Sequence, residues 1–246
     1  MRRKKKRAST LRKGKLRRLF LLAALLLAAG GAWQVLAWPA VEEVATRNPK
    51  TTAFIEQYKK ERMKTGRGPP LSWKWVPYGS ISPSLKQAVL VGEDIRFFVH
   101  NGFDYGEIQN SLKETLQDGE PPRGASTITQ QLAKNLWLSP SRNPVRKIKE
   151  AILTYQLEKH LRKRRILEIY LNVVEFGRGI YGAEAAALHY FGKHASALDT
   201  HESALLAASL PRPSSWNPQS RSTYYRKHVQ RITRRMSRAT FLLSYI

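Results

Sequence analysis

The apolar and polar positions divide this chain into one long apolar run and a series of amphipathic segments. Leu19 to Trp38 holds 17 apolar residues in 20 and no charge. At about 1.5 Å per residue, such a run spans a hydrocarbon layer ~30 Å thick. Val41 to Lys64 is charged and weakly periodic, with Phe54, Tyr58 and Met63 on one side. It predicts a peripheral helix, ended by Gly66-Arg67-Gly68-Pro69-Pro70. After an aromatic stretch, Trp73 to Tyr78, Ser82-Pro83 has the cap-then-proline chemistry of a helix start. Leu85, Ala88 and Val89 give that helix its apolar side, and Glu93 falls at its C-terminal end. Ile108, Leu112 and Leu116 recur at four-residue steps and predict a helix over 106–117, which Asp118 to Pro122 breaks. Ser126 or Thr127 caps the next, running to about Trp137. Asn143-Pro144 opens a long one. Arg164 to Asn172, Ala183 to Tyr190 and Glu202 to Leu210 complete the set, with a turn in Gly177 to Gly182 and terminators at Pro211, Pro213 and Pro218. Little reads as alternating strand, so the class is mainly α.

Charge fixes the orientation of the apolar run. Eleven Lys and Arg lie in the first eighteen positions with no acid among them. The other 228 residues hold 32 Lys and Arg against all 18 acidic residues, a net +14. The basic flank marks the cytoplasmic side, Trp33 and Trp38 sit at the far interface, and everything after Pro39 is then outside. A cleaved signal peptide is the competing reading. The run exceeds a usual signal core and the Ala28 to Ala32 stretch falls inside it, which favours a retained anchor. The basic tail is accounted for by anionic lipid and needs no nucleic acid. Cysteine is absent, so disulfides and thiolate metal sites are excluded.

Three stretches carry chemistry. Glu93 to Gly102 places the pair Glu93-Asp94 among Phe97 and Phe98, beside His100. A general base needs a carboxylate whose pKa is lifted by burial, which these aromatics would supply, while Asp94 adds a like charge. Taken alone, the pair reads more readily as acids solvated at a helix end than as a catalytic pair, and His100 as a hydrogen-bonded structural residue rather than a catalytic one. Gly124 to Asn135 is a polar loop entering a helix. Thr127, Gln130 or Gln131, and Lys134 line one face, opposite Ile128, Leu132 and Leu136. A solvated face more often carries Glu/Lys pairs. Uncharged donors followed by a cation, near the free N–H groups of a helix N-terminus, suit a sugar with an adjacent phosphate. Arg142, Arg146 and Lys147 follow, as surface charges or as part of an anion site. Glu150 shares a face with Thr154, Leu157 and Leu161. A carboxylate there is either paired with a nearby cation or kept for function. Elsewhere, Glu168 and Asn172 read as a bracing pair. Phe103, Tyr105, Ile108 and Leu112 face either the core or lipid. Arg221 to Arg238, with Tyr225, Val229, Ile232 and Met236 on one side, is a basic amphipathic helix that packs on the domain or lies on anionic lipid.

In this order the stretches resemble the glycosyltransferase module that polymerises peptidoglycan from lipid II, found in monofunctional biosynthetic transglycosylases and in bifunctional penicillin-binding proteins. Glu93, Asp94, Phe97, His100 and Gly102 match Glu-Asp-x-x-Phe-x-x-His-x-Gly at every fixed position. Gly124 to Asn135, Arg146-Lys147-x-x-Glu150-Ala151, Arg165 to Asn172 with Glu175 to Gly177 and Gly179 to Ala186, and Glu202 to Ala207 with Pro211 and Trp216-Asn217-Pro218 complete it. The resemblance covers residues 75–218. Arg162 departs from it, standing where relatives carry Ser, which touches local packing only. Nothing after 218 resembles a transpeptidase domain, so a monofunctional enzyme is expected.

The resemblance implies a lysozyme-like, two-lobed helical domain (75–218) behind a cytoplasmic tail (1–18), a transmembrane anchor (19–38) and a membrane-proximal segment (39–74), with a basic C-terminal helix (219–246). It implies Glu93 as general base and Glu150 as the second functional glutamate. Lys134, Arg142, Arg146, Lys147, Gln130, Gln131, Ser126 and Thr127 would bind substrate and pyrophosphate. Asp94, Phe97, His100, Gly102 and Asn135 would support them. No cofactor is required by it, and a divalent cation, Mg or Mn, at the pyrophosphate is left open. The implied partners are lipid II, the lipid-linked strand, anionic lipids and cell-division or elongation proteins, at the bacterial inner membrane with the domain periplasmic. Two rivals stand beside it. A glycan-cleaving enzyme of similar fold needs an acid for a sugar leaving group, where the cations here suit a phosphate. A non-catalytic lipid II-binding adaptor would have no need of the acids.

Overall fold

The computed structural model describes residues 38–118, 126–141 and 143–246, together with Phe20 and Leu25. The tail 1–18, the apolar run apart from Phe20, Leu25 and Trp38, residues 119–125 and Arg142 lie outside the described residues. Among the described residues no helix is long and apolar enough to cross a membrane. The chain divides into Met1–Ala40 and Val41–Ile246, and the second unit carries the fold.

That unit is mainly helical. In chain order it comprises α1 (Glu43–Thr46), α2 (Ala53–Thr65), β1 (Ser72–Trp73), α3 (Pro83–Glu93), α4 (Tyr105–Asp118), α5 (Ile128–Trp137), α6 (Pro144–His160), α7 (Lys163–Val173), β2 (Glu175–Gly177), β3 (Ile180–Tyr181), α8 (Ala183–Phe191), α9 (Thr200–Ser209) and α10 (Thr223–Arg238). The single helix expected over 41–64 is two. Thr52 is extended and its hydroxyl accepts the Ile55 N–H at 3.1 Å, so a new helix starts there after Pro49. Met63 is 85 % exposed, and Ile55 with Tyr58 forms the apolar side instead, packed on Tyr181.

The sequence pattern shows no sign of the small sheet. β3 is central, with β1 parallel on one side and β2 antiparallel on the other. Its strands are two or three residues long, too short for alternation to register. The chain leaves it at Gly182, which has φ 82° and donates to the Val174 carbonyl at 2.9 Å. A Cβ there would lie 2.6 Å from the Asn172 carbonyl oxygen, so only glycine fits.

The helices pack as two groups. α3, α9 and α10 form one, α5, α6 and α7 the other. In the first, Tyr225, Val229, Ile232 and Met236 of α10 are all buried. Gln87 Nε2 of α3 donates to the Met236 and Ala239 carbonyls, both at 3.1 Å. The apolar face of α10 is therefore spent on the domain. At roughly 1.5–3 kcal/mol per buried side chain, it is not available to lipid. The second group buries Ile128, Leu132, Leu153, Leu157, Ile166 and Tyr170.

Glu168 and Asn172 of α7 brace the aromatic stretch rather than each other's side chain. The Asn172 side chain accepts the Val76 N–H at 2.9 Å and donates to the Val76 carbonyl at 3.0 Å. Glu168 accepts the Tyr78 N–H at 3.1 Å and pairs with Arg165 at 2.9 Å.

Candidate active site

The end of α3 and the start of α5 meet at the candidate site. Ser82 caps α3, accepting the Ser84 N–H at 3.2 Å, and Pro83 takes its first turn. The helix stops at Glu93, and Asp94, at its C-cap, is no longer helical. Asp94 is buried and joins three elements. His100 Nε2 lies 2.9 and 3.0 Å from its two oxygens, and the Ile128 N–H at the head of α5 donates to it at 3.0 Å. His100 Nδ1 accepts the Gly102 N–H at 3.1 Å, which leaves Nε2 as the nitrogen that carries the proton toward Asp94. Gly102 has φ 87°, and a Cβ there would come within 2.7 Å of Thr154 Cγ2. Phe97 is fully buried, with Lys163 Nζ 4.5 Å from its ring centre. These residues fasten the segment that follows Glu93 to the head of the next helix.

α5 presents the polar row. Thr127 and Gln130 form a capping box: the Thr127 hydroxyl accepts the Gln130 N–H at 3.2 Å and Gln130 Oε1 accepts the Thr127 N–H at 3.0 Å. The Thr127 hydroxyl also donates to the Gly102 carbonyl at 2.7 Å. The structure thus gives Gln130 and Thr127 to helix initiation and does not bring Gln130 to Glu93. Gln131 is the amide at the site, its Nε2 donating to Glu93 Oε2 at 2.7 Å and reaching the Ser126 carbonyl at 3.4 Å. Asn135 is buried further along the helix.

Glu93 is half-buried. Burial raises its pKa above the ordinary value. The Gln131 hydrogen bond and Lys134 pull the other way, and Asp94 adds to the rise. A cavity of about 120 Å³ opens beside it, lined by Glu93, Asp94, Arg96, Ser126, Thr127 and Arg235 among others.

One turn beyond Gln131, Lys134 rests 5.7 Å from the Phe54 ring centre. Burial lowers its pKa; Glu150 opposes this, while Arg146 and Lys147 add to it. Glu150 is buried on α6, and both of its oxygens are paired. Arg146 Nη1 donates to Oε2 at 2.8 Å and Lys147 Nζ donates to Oε1. Arg146 Nε is buried without a hydrogen-bond partner in the protein. Arg142, expected in this cluster, lies outside the described residues.

Asp94, His100 and Asp104 bring ligand-type atoms within 4.8 Å of one another. Their bonds account for them without an ion. Asp94 and His100 are paired as described, and Asp104 Oδ1 takes Arg96 Nη1 at 3.2 Å and the Glu107 N–H at 3.0 Å.

Two residues at this site were not singled out from sequence. Arg235 reads as one more cation on a basic helix; it lines the cavity beside Glu93, next to the buried Met236. Tyr170 reads as helix packing, and its hydroxyl donates to Gln131 Oε1 at 2.9 Å.

A carboxylate raised in pKa by burial, within electrostatic reach of Lys134 in a mainly helical domain, suits an enzyme of group transfer better than a binding module. The chain belongs to the transglycosylase family, whose model matches residues 60–237. It is 45 % identical over 190 residues to a biosynthetic peptidoglycan transglycosylase of Laribacter hongkongensis, covering 77 % of this chain and 83 % of that one. The protein of that name from an Azoarcus species is 45 % identical over 217 residues, 88 % and 93 % of the two chains. Its counterpart from Chromobacterium violaceum is 40 % identical over 219 residues, 89 % and 96 %. The chain is a peptidoglycan glycosyltransferase, and its work is the polymerisation of peptidoglycan glycan.

Proposed function

We propose that the enzyme polymerises lipid II, with Glu93 as the general base. Glu93 takes the proton from the 4-hydroxyl of the acceptor N-acetylglucosamine. The freed oxygen attacks C1 of the donor N-acetylmuramic acid, the α-linked undecaprenyl pyrophosphate leaves, and a β-1,4 bond forms with inversion. The observation that carries this reading is the Glu93 carboxylate itself, raised in pKa by burial and held by Gln131 at 2.7 Å beside an open cavity. A base poised toward neutral pH removes a proton more effectively than a solvated carboxylate.

Lys134 neutralises the charge that builds on the leaving pyrophosphate, with Arg146 and Lys147 behind it. Fixed charges aimed at developing charge are a large catalytic term. Glu150 orders the last two cations through its paired oxygens and is a positioning residue in this scheme. The same pairing bears on a divalent ion. Among the described residues, Glu150 is the carboxylate of this cluster and already accepts from two cations, so this donor set does not fit a protein-held Mg or Mn.

In the same reading the two helix groups are the lobes of a lysozyme-like domain, with Glu93 at their junction, tethered outside the inner membrane by residues 19–38. Val145, Ile148, Ile152 and Tyr155 form an exposed apolar stripe along α6, and Tyr105 and Ile108 are exposed on α4. These surfaces suit the lipid layer that carries the substrate. Polymerisation of labelled lipid II by a Glu93→Gln variant tests the central claim. The substitution keeps size and removes the base, and the rate should fall by at least ~10²-fold with the fold retained. Near-normal polymer would remove Glu93 from the chemistry.

A further inference from the structure

Tyr170 is, with Tyr225, the largest of the fully buried side chains, and its hydroxyl meets a side chain at the reacting centre rather than backbone. Burial, together with the negative charges of Glu93 and Asp94, holds its pKa well above the ordinary 10.0, so it remains a hydroxyl with a proton to donate. Its partner is Gln131, an amide with two unlike ends. One end faces Tyr170, and the other faces the Glu93 carboxylate at 2.7 Å and the Ser126 carbonyl at 3.4 Å. Two acceptors on one side and a donor on the other fix the amide in one sense, with Oε1 toward Tyr170 and Nε2 toward Glu93. Turned over, it would set its oxygen against a carboxylate and leave the Tyr170 proton opposite an NH2 group.

We propose that Tyr170 is a positioning residue for the base: it orients the Gln131 amide so that an N–H occupies Glu93 Oε2 and leaves Oε1 as the atom that receives the acceptor's proton. This rests on Glu93 acting as the base. Among the described residues no protein donor reaches Oε1, whereas Oε2 is engaged. In the transfer, the acceptor O–H bond breaks and an O–H bond forms at Oε1. The electron pair released builds the new C1–O bond, and the pair of the breaking C1–O bond leaves with the pyrophosphate. An amide free to turn would compete for the base or hold it in its protonated form.

Tyr170→Phe keeps the ring that fills the core and removes only the hydroxyl. In lipid II polymerisation its kcat should fall about tenfold, a part of the 10²–10⁴ that a placed base supplies, with KM little changed. The acid limb of its kcat profile should move to higher pH, because the Gln131 donor that lowers the Glu93 pKa is no longer held in place. In a Gln131→Ala background, adding Tyr170→Phe should cost nothing further, since Tyr170 acts through that amide. Wild-type kcat and acid limb in Tyr170→Phe would overturn the proposal. So would a lower rate with an unmoved limb, or losses that multiply in the double variant. If Tyr170→Phe does not fold, Gln131→Ala alone decides: its acid limb must also move upward, and a limb that stays sinks the idea. Glu93→Gln assayed in parallel separates the two claims. An active Glu93→Gln removes the base, whereas an inactive one beside an unaltered Tyr170→Phe removes only the role of Tyr170.

Discussion

Three cations follow one another near Glu150, and their surroundings differ. Arg146 and Lys147 are tied to its carboxylate. Lys134 is in no ion pair within the described residues and lies over the Phe54 ring, so its charge is the one left to meet a developing anion. Lys134→Ala should lower kcat by ~10²–10³, the scale of a lost charge-stabilising donor. Lys134→Arg should restore only part of it, because a planar fork does not fill the place of a compact ammonium. Since burial lowers the Lys134 pKa, wild-type activity should fail on the alkaline side earlier than an exposed lysine would allow. Turnover of lipid II at the wild-type rate by Lys134→Ala would end this assignment. At this scale the sequence was partly readable. Thr127-x-x-Gln130 is a capping-box signature, and it separates Gln130, which caps the start of the helix, from Gln131, which meets Glu93. No local signal could have found Tyr170, because its partner lies 39 residues away on another helix.

At the scale of elements, helix starts were the most legible feature because their chemistry is local. Ser82-Pro83 and Asn143-Pro144 begin α3 and α6 with the expected caps, Asn143 accepting the Val145 N–H at 2.8 Å. The strands and the break between α1 and α2 were missed, the former for their length and the latter because Thr52 interrupts a continuous polar pattern. The motif Glu-Asp-x-x-Phe-x-x-His-x-Gly resolves into a single tie, in which Asp94, His100 and Gly102 fasten the end of α3 to the head of α5. The start of α7 lacks a side-chain cap. Arg162 occupies the N-cap of α7 in extended conformation, and its side chain makes no cap hydrogen bond. A serine there would accept one of the free N–H groups. Arg162→Ser should therefore stabilise the domain by about 0.5–2 kcal/mol and raise the melting temperature by a few degrees, without altering polymerisation. A melting temperature that stays the same or falls would mean that the arginine serves the fold in some other way.

Over the whole molecule, the question is what residues 1–40 contribute. The packed helices, the small sheet and the site residues described above all belong to Val41–Ile246. Net charge points to an anionic partner without saying where it would bind. Part of that charge lies on the outer face of α10, where Arg226, Lys227, Arg231, Arg234 and Arg238 are exposed while the opposite face is buried in the domain. Such a basic outer face would add attraction to anionic lipid without inserting. If residues 19–38 serve as a tether, their role is to raise the encounter rate with a substrate confined to a bilayer. A chain of residues 41–246 should then melt cooperatively at the temperature of the full-length protein. It should polymerise detergent-dispersed lipid II at the full-length rate and fall well behind on lipid II in vesicles. Anionic vesicles should narrow that gap relative to neutral ones, and added salt should widen it again, because the remaining attraction is electrostatic and screened. A truncated chain that loses its cooperative melt would show that the first forty residues belong to the fold. One that keeps pace on neutral vesicles would show that the tether does not limit encounter.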